Sequence, residues 1–326
     1  MELRKIQKTR GGTFFVTVPK EWAIKNSINR GSVVSTSITP DGRLVIDPQY
    51  NLEPTPQTIV IKPTTYLSRE IIGKYLLGYD IIRIEAKDRI TMEQRELIKE
   101  TSSRLIGLEI IEEDYTKVVM QCLLEPSALP PEKVLRREYL ITSGMYGDAL
   151  TALIEGDVQL AKSVIARDNE ADRLYFLLVR ILRTVIQNPG LNEKLEISPI
   201  DCLDYRLTAS LVESVGDLSS QIADYAVRLN GKKPDVEASE PFMKLYKTVH
   251  ESYKDAIAAF LSRSISIAAS VRNKKDEVME MRRQVESICN NLPMELAQNI
   301  ISVFSLVSQI YDYSVDISDL TTPKIS

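Results

Sequence analysis

The chain of 326 residues is long enough for two or three separately cored units of the usual size, roughly 100 to 200 residues each. With 44% hydrophobic and 26% charged residues it is not a disordered chain. Its net charge of -4 excludes a surface that is basic all over and coats nucleic acid. The opening MELRKIQKTRGGTFF has no apolar run before a cleavage site, and no stretch of about 20 apolar residues follows. A cytoplasmic protein without membrane insertion is expected. Cys122, Cys202 and Cys289 are odd in number and far apart, which suits reduced core residues better than disulfides or zinc.

The first unit, residues 1–53, reads as β-rich. Strands are expected at Thr13–Val18, Val33–Ile38 and Leu44–Ile46, punctuated by Gly11-Gly12, Pro19 and Asp41-Gly42. Pro19 suits the first turn of a short helix carrying Glu21, Trp22, Ile24 and Lys25, with Trp22 as a core anchor. Within residues 1–30, Arg4, Lys5, Lys8, Arg10, Lys20, Lys25 and Arg30 face only Glu2 and Glu21, so this end is positive. Pro54 and Pro56 mark a linker.

Residues 57–126 alternate as a small α/β unit. The expected order is strand Thr58–Ile61, helix Ser68–Leu77, strand Ile81–Glu85, helix Met92–Leu105, and strands Leu108–Glu113 and Lys117–Leu124. Ser68 and Thr91 stand where helix N-caps belong.

After Pro130-Pro131 the apolar residues recur at helical spacing, as in Leu160, Val164, Ala171, Leu174, Leu178, Ile181 and Val185, and again in Leu207, Leu211, Val215, Leu218, Ile222, Tyr225 and Leu229. Breaks near Gly156, Pro189-Gly190, Gly231 to Pro234, Ser262 to Ser264 and Pro293 predict six helices with mostly short connections, hence antiparallel neighbours. This region repeats itself. DALTALIEGDVQLAKSV from Asp148 aligns without gaps on DAIAAFLSRSISIAASV from Asp255, and Leu211, Val212, Val215, Asp217, Ile222 and Asp224 match Leu306, Val307, Ile310, Asp312, Ile317 and Asp319. A period near 100 residues points to two packed three-helix units, 131–232 and 236–321, rather than a solenoid. The expected fold class is a multidomain α+β chain: a β domain, an α/β unit and a duplicated all-α bundle.

DALTAL, LAKSVIARDNEADRL with its acidic pair Asp168 and Asp172, and ESVGDLSSQIADYA resemble the PhoU family, proteins that attend phosphate transport and signalling. The resemblance spans roughly residues 131–320 and implies two three-helix bundles. RKIQKTRGGTFFVTVPKEWAIKNSINRGSVV with the closing DGRLVI resembles the SpoVT/AbrB swapped-hairpin type, which implies an intertwined homodimer that binds DNA. Ala23 and Ile24 stand where many members of that type carry arginine. The pairing of the two resembles archaeal phosphate uptake regulators.

Carboxylates four apart stand above one another on a helix, so Asp168 with Asp172, and Glu213 with Asp217, can present oxygens to one hard cation, and equally fit a solvated acidic face. The PhoU resemblance implies a divalent metal there, iron, zinc, manganese or magnesium. In the second copy the matching positions are Lys275, Met279, Ser308 and Asp312, so at most one such site survives. Asp276 and Glu280 have the spacing but not the phase, and fit a solvated face with Lys274, Lys275, Arg282 and Arg283. Arg4, Lys5, Lys8, Arg10, Lys20 and Lys25 are the candidates for DNA phosphates. For catalysis the inventory is poor: His250 is the only histidine and reads as an ordinary helix residue, and no phosphate loop or activated nucleophile appears. The chain is therefore expected to regulate phosphate uptake, binding DNA through its first unit while the bundle senses a metal, a signal or a partner. The alternative is an adaptor that docks the bundle on a phosphate transporter or sensor protein and uses the first unit only to dimerise. A metal-dependent hydrolase is disfavoured without histidine ligands.

Overall fold

A computed structural model describes residues 2–38, 42–48, 56–231, 236–289 and 294–323. It divides into two compact units, Met1–Pro56 and Gln57–Ser326. The expected turn residue Asp41, the linker residue Pro54, the break residues 232–234 and Pro293 lie outside the described residues.

In the first unit β1 (Gln7–Lys8) pairs antiparallel with β2 (Phe14–Phe15), and β3 (Ser35–Ile38) pairs antiparallel with β4 (Leu44–Asp47). The strand expected over Thr13–Val18 shrinks to two residues, and that over Val33–Ile38 to four. Helix α1 (Lys20–Lys25) starts after Pro19, which serves as its N-cap. Among the described residues of this unit none is buried. Trp22 is therefore not the core anchor expected of it, since a single copy of these short hairpins has no core to offer. Leu3, Ile6, Phe14, Ile24, Val33, Ile38 and Leu44 all stand exposed.

The second unit opens with β5 (Thr58–Ile61), α2 (Leu67–Leu76), β6 (Ile81–Glu85), α3 (Met92–Ser103), β7 (Leu108–Glu113) and β8 (Lys117–Cys122). The sheet order is β5-β6-β8-β7, with β5 parallel to β6 and β8 antiparallel to both its neighbours. Thr91 caps α3 in a full capping box with Gln94, as its position predicted. Ser68 is not a cap: α2 begins a residue earlier, after Tyr66, and the Ser68 hydroxyl accepts from the Thr101 hydroxyl at 2.9 Å instead. Ile61, Ile71, Tyr75, Ile82, Ile84, Ile98 and Met120 form the core of this layer.

The remaining helices are α4 (Pro131–Glu155), α5 (Val158–Gln187), α6 (Pro189–Leu195), α7 (Pro199–Leu229), α8 (Val236–Ser262), α9 (Ile265–Asn273), α10 (Lys275–Cys289) and α11 (Met294–Asp319). Among the described residues that is two more than the six expected. Pro189-Gly190 opens the short α6 rather than a loop, and the second helix of the second copy is broken at Lys274. The break has a visible partner. Tyr311 occupies the position that Gly216 holds in the first copy, and its hydroxyl donates to the Val271 carbonyl at 2.9 Å, one turn before Lys274.

Helices α4, α5 and α7 form the first bundle, α8 to α11 the second, and the bundles meet through α4 against α8 and α7 against α11. The apolar stripes pack inward as their period required, although Leu207 stays exposed. Gly156 closes α4 in the left-handed conformation, and an added Cβ there would lie 2.7 Å from the Gly231 carbonyl oxygen. Asp148 pairs with Arg167 at 2.5 Å, and its counterpart Asp255 pairs with Lys274 at 3.4 Å, so the duplication extends to an ion pair. Among the described residues no helix is long and apolar enough to cross a membrane.

The α/β layer docks along one stripe of α5. Phe176 packs on the core of that layer. Arg180, 3% exposed, donates to the carbonyls of Tyr75 and Tyr79 at 2.7 and 2.9 Å and to Asp80 at 3.1 Å. It thus closes the carboxyl end of α2, where unpaired carbonyls favour a cation.

Close approach of the three helices of the first bundle depends on Gly216, where a Cβ would meet Thr142 Cγ2 at 3.1 Å and Ala171 Cβ at 3.6 Å. Gly216→Val should overpack this contact and lower stability by roughly 1–3 kcal/mol, read as a lower urea midpoint; an unchanged midpoint would show that the helices are not closely apposed there.

Candidate metal centre

The site is built on α5 and α7, which run antiparallel in the first bundle. Each helix is anchored at its start: Asp157 accepts from the Gln159 and Leu160 amides, and Ser198 forms a capping box with Asp201 behind Pro199. With the helices held in register, the acidic residues of α5 come to face those of α7. Single carboxylate oxygens of Asp172, Glu213 and Asp217 lie within 4.8 Å of one another. Asp168 lies outside that tight triad but acts electrostatically on it, and its Oδ1 is buried without a hydrogen-bond partner.

Proximity without compensation raises proton affinity. Burial, then Asp217, Asp172 and Asp168, push the Glu213 carboxyl up to about 7, against a small opposing effect of Arg206. Burial, then Asp217 and Asp172, push Asp168 up to about 6. Asp217 is raised by burial and by Asp172. A hard cation bound by oxygen ligands would relieve this repulsion.

Two participants were not foreseen in the sequence. Arg104, the residue closing α3, donates to Asp172 at 3.2 Å, so one ligand candidate is shared with the α/β layer. Glu138 on α4 is wholly buried, with neither carboxylate oxygen hydrogen-bonded. Burial, then Glu213, raises it well above the ordinary carboxylate range. A glutamate standing on the apolar face of α4 is a signal visible in the sequence, but its neighbour Glu213 is 75 residues away and only the bundle joins them.

In the second copy Lys275 and Met279 are exposed, Ser308 is buried with an unpartnered hydroxyl, and Asp312 is raised by burial and by Asp316, against Arg282 and Lys275. Asp276 and Glu280 are solvated, and Glu280 pairs with Arg283 at 3.0 Å. The six basic candidates of the first unit are not gathered into one patch by any contact among themselves: Arg4 is held by Glu2 at 2.6 Å and Thr17 at 2.9 Å, Lys8 lies over the Phe14 ring at 5.2 Å, and Lys5, Arg10, Lys20 and Lys25 are exposed. The cysteines are buried and free. His250 sits between α8 and α4, its Nε2 3.0 Å from the Ser143 hydroxyl.

A carboxyl that holds its proton more tightly in the folded chain than its ordinary value near 4 has no effect at lower pH, and costs stability as the pH rises towards its folded value. With Asp168 near 6 and Glu213 near 7, the metal-free chain should lose thermal stability between about pH 4 and 7. Asp168→Asn combined with Glu213→Gln should flatten that decline in melting curves of chelator-treated protein; an equal slope in wild type and variant would contradict the repulsion.

No curated protein matches the sequence. Among solved structures the chain is similar to PhoU from Pseudomonas aeruginosa, at 18% identity and a TM-score of 0.54 over 60% of this chain and 95% of that one. It is also similar to the phosphate transport system regulatory protein PhoU from Streptococcus pneumoniae, at 17% identity and a TM-score of 0.51 over 59% of this chain and 91% of that one. At these identities the likeness is one of fold. The PhoU domain model matches residues 135–226 and 242–321, one stretch in each bundle and more than half of the chain together. With its duplicated three-helix bundles, the chain belongs to the PhoU family.

Proposed function

We propose that this chain is a cytoplasmic regulator of phosphate uptake and homeostasis, in which the first bundle binds a divalent cation and the N-terminal unit binds DNA as a homodimer. The observation that carries the reading is the set of carboxylates that α5 and α7 of a PhoU-family bundle bring together, half-buried Asp168, Asp172 and Glu213 beside exposed Asp217. Oxygen-only ligands suit iron, manganese or magnesium better than zinc. Cation binding regulates only if two conformations of the protein differ in affinity for it.

The dimer is supported by the lack of any buried residue among the described residues of the first unit, beside ten exposed large apolar ones. A unit of this size without a core needs a partner to fold against, and a second copy supplies the same hairpins. Two copies also double the positive surface carrying Lys5, Lys8, Arg10, Lys20 and Lys25, with Arg4 beside it. A second reading, an adaptor for a phosphate transporter or sensor protein, is favoured by Ile24, which stands exposed on α1 where a DNA-binding relative would carry arginine.

Metal analysis of chain purified without chelators should find iron or manganese, and Asp168→Asn with Asp172→Asn should remove it. Equal metal in both proteins would eliminate the site. For DNA, a mobility shift should weaken steeply between about 50 and 200 mM salt and fall further in Lys8→Ala with Arg10→Ala. Absence of any shift at the lowest salt, together with co-purification of transporter components, would favour the adaptor.

A further inference from the structure

The α/β layer docks on the first copy, the one that kept its carboxylates, through a stripe of α5. Asp172, Phe176 and Arg180 are spaced four apart and so stand in line on one face. The matching residues of the second copy, Met279, Arg283 and Ser287, are exposed. At one end of the stripe Arg180 is buried, donates to three oxygens and places its guanidinium 5.0 Å from the centre of the Tyr75 ring. Tyr75 in turn donates from its hydroxyl to the Ile106 carbonyl at 2.9 Å, so the turn that follows α3 is tied to this end.

Arg104 makes the other end, and makes it loosely. Its Nη2 lies 3.2 Å from Asp172 Oδ2, longer than the roughly 2.7–2.9 Å of a strong charge-assisted hydrogen bond. Its Nε is buried without a partner. The two side chains are 39% and 23% exposed, so water reaches both. Among the described residues this is the one ion pair made by any of Asp168, Asp172, Glu213 and Asp217. Arg206, which also acts on Glu213, lies with its guanidinium over the Tyr175 ring at 4.7 Å. Arg104 is thus the one protein cation paired to the cluster, and the carboxylate it holds belongs to the tight triad.

We propose that Arg104 and a divalent cation compete for Asp172, so that cation binding in the first bundle frees the last turn of α3 and is thereby relayed to the α/β layer. The proposal rests on the reading of Asp168, Asp172, Glu213 and Asp217 as a cation site. A divalent ion is attracted by several carboxylates at once, whereas the guanidinium carries a single charge, holds one carboxylate and is within reach of water. Two positive charges on one shared carboxylate repel each other, and the weaker holder leaves. The released guanidinium has a favourable place to go: Arg104 closes α3, and a cation beside the last carbonyls of a helix is stabilised by their dipoles. The movement is confined to that turn, because Leu105 stays in the core of the α/β layer and Ile106 stays on Tyr75. The coupling is reciprocal. Whatever engages the α/β layer so as to draw Arg104 off Asp172 raises cation affinity by the same factor.

The test is calorimetric titration of the chelator-stripped full chain with Mn(II), on wild type, Arg104→Gln and Asp172→Asn, joined to amide hydrogen exchange of wild type with and without the ion. Arg104→Gln should bind Mn(II) about two- to fivefold more tightly, the factor that corresponds to a partly exposed ion pair. Saturating wild type with Mn(II) should speed exchange of the Arg104 and Leu105 amides, which close the last turn of α3 on Thr101 and Ser102. Equal or weaker binding by Arg104→Gln overturns the competition, weaker binding marking Arg104 as a residue that orients Asp172 for the ion. Unchanged exchange at these two amides overturns the relay. In both cases the cation site itself stands if wild type binds Mn(II) and Asp172→Asn binds it less. No Mn(II) bound by wild type overturns site and coupling together. If circular dichroism shows Arg104→Gln to be misfolded, the exchange result on wild type decides.

Discussion

The close approach of α4, α5 and α7 at Gly216 is the contact on which the first bundle depends. Because Gly216 has no side chain, Thr142 and Ala171 reach the α7 backbone, and the residues next to this contact or a turn from it are brought near one another. Those residues include Glu138, Asp172, Glu213 and Asp217. Their mutual repulsion is thus a consequence of tight packing elsewhere, and the apolar contacts of the bundle hold the carboxylates where water alone would let them separate.

The second copy shows what happens when that contact is lost. Tyr311 replaces the glycine, takes the Val271 carbonyl by hydrogen bond, and the helix breaks at Lys274. In the same copy the acidic pattern has become Lys275, Met279 and Ser308, with Asp312 remaining. Loss of the close approach and loss of the carboxylates go together, while the ion pair between the first and second helices is kept in both copies. The duplication has therefore been retained as packing and divided as chemistry.

The α/β layer is joined to the first bundle along α5, from Asp172 through Phe176 to Arg180. Its two ends differ physically. Arg180 is enclosed and donates to two carbonyls and to Asp80, whereas Arg104 and Asp172 form a partly exposed ion pair, of the kind worth about 1 kcal/mol or less. The firm end fixes the layer in place, and the weak end touches the carboxylate cluster.

The strands of the α/β layer, the cap at Thr91 and the duplicated helical region were legible in the sequence, because alternation, capping chemistry and a 3.6-residue period are local properties. The pairs Asp168 with Asp172 and Glu213 with Asp217 were legible for the same reason, as four-residue spacings on single helices. Trp22 and the strand over Thr13–Val18 were misjudged because local β propensity does not say what partner is available, and one copy of the hairpins has none. Glu138 and Arg104 escaped notice because their significance depends on Glu213 and Asp172, distant in the chain and adjacent only after packing. Helix by helix, then, the sequence determined which side chains share a face; which faces meet, and so which carboxylates must compete for protons or a cation, was decided by the bundle, since burial and Coulomb repulsion depend on distance in space.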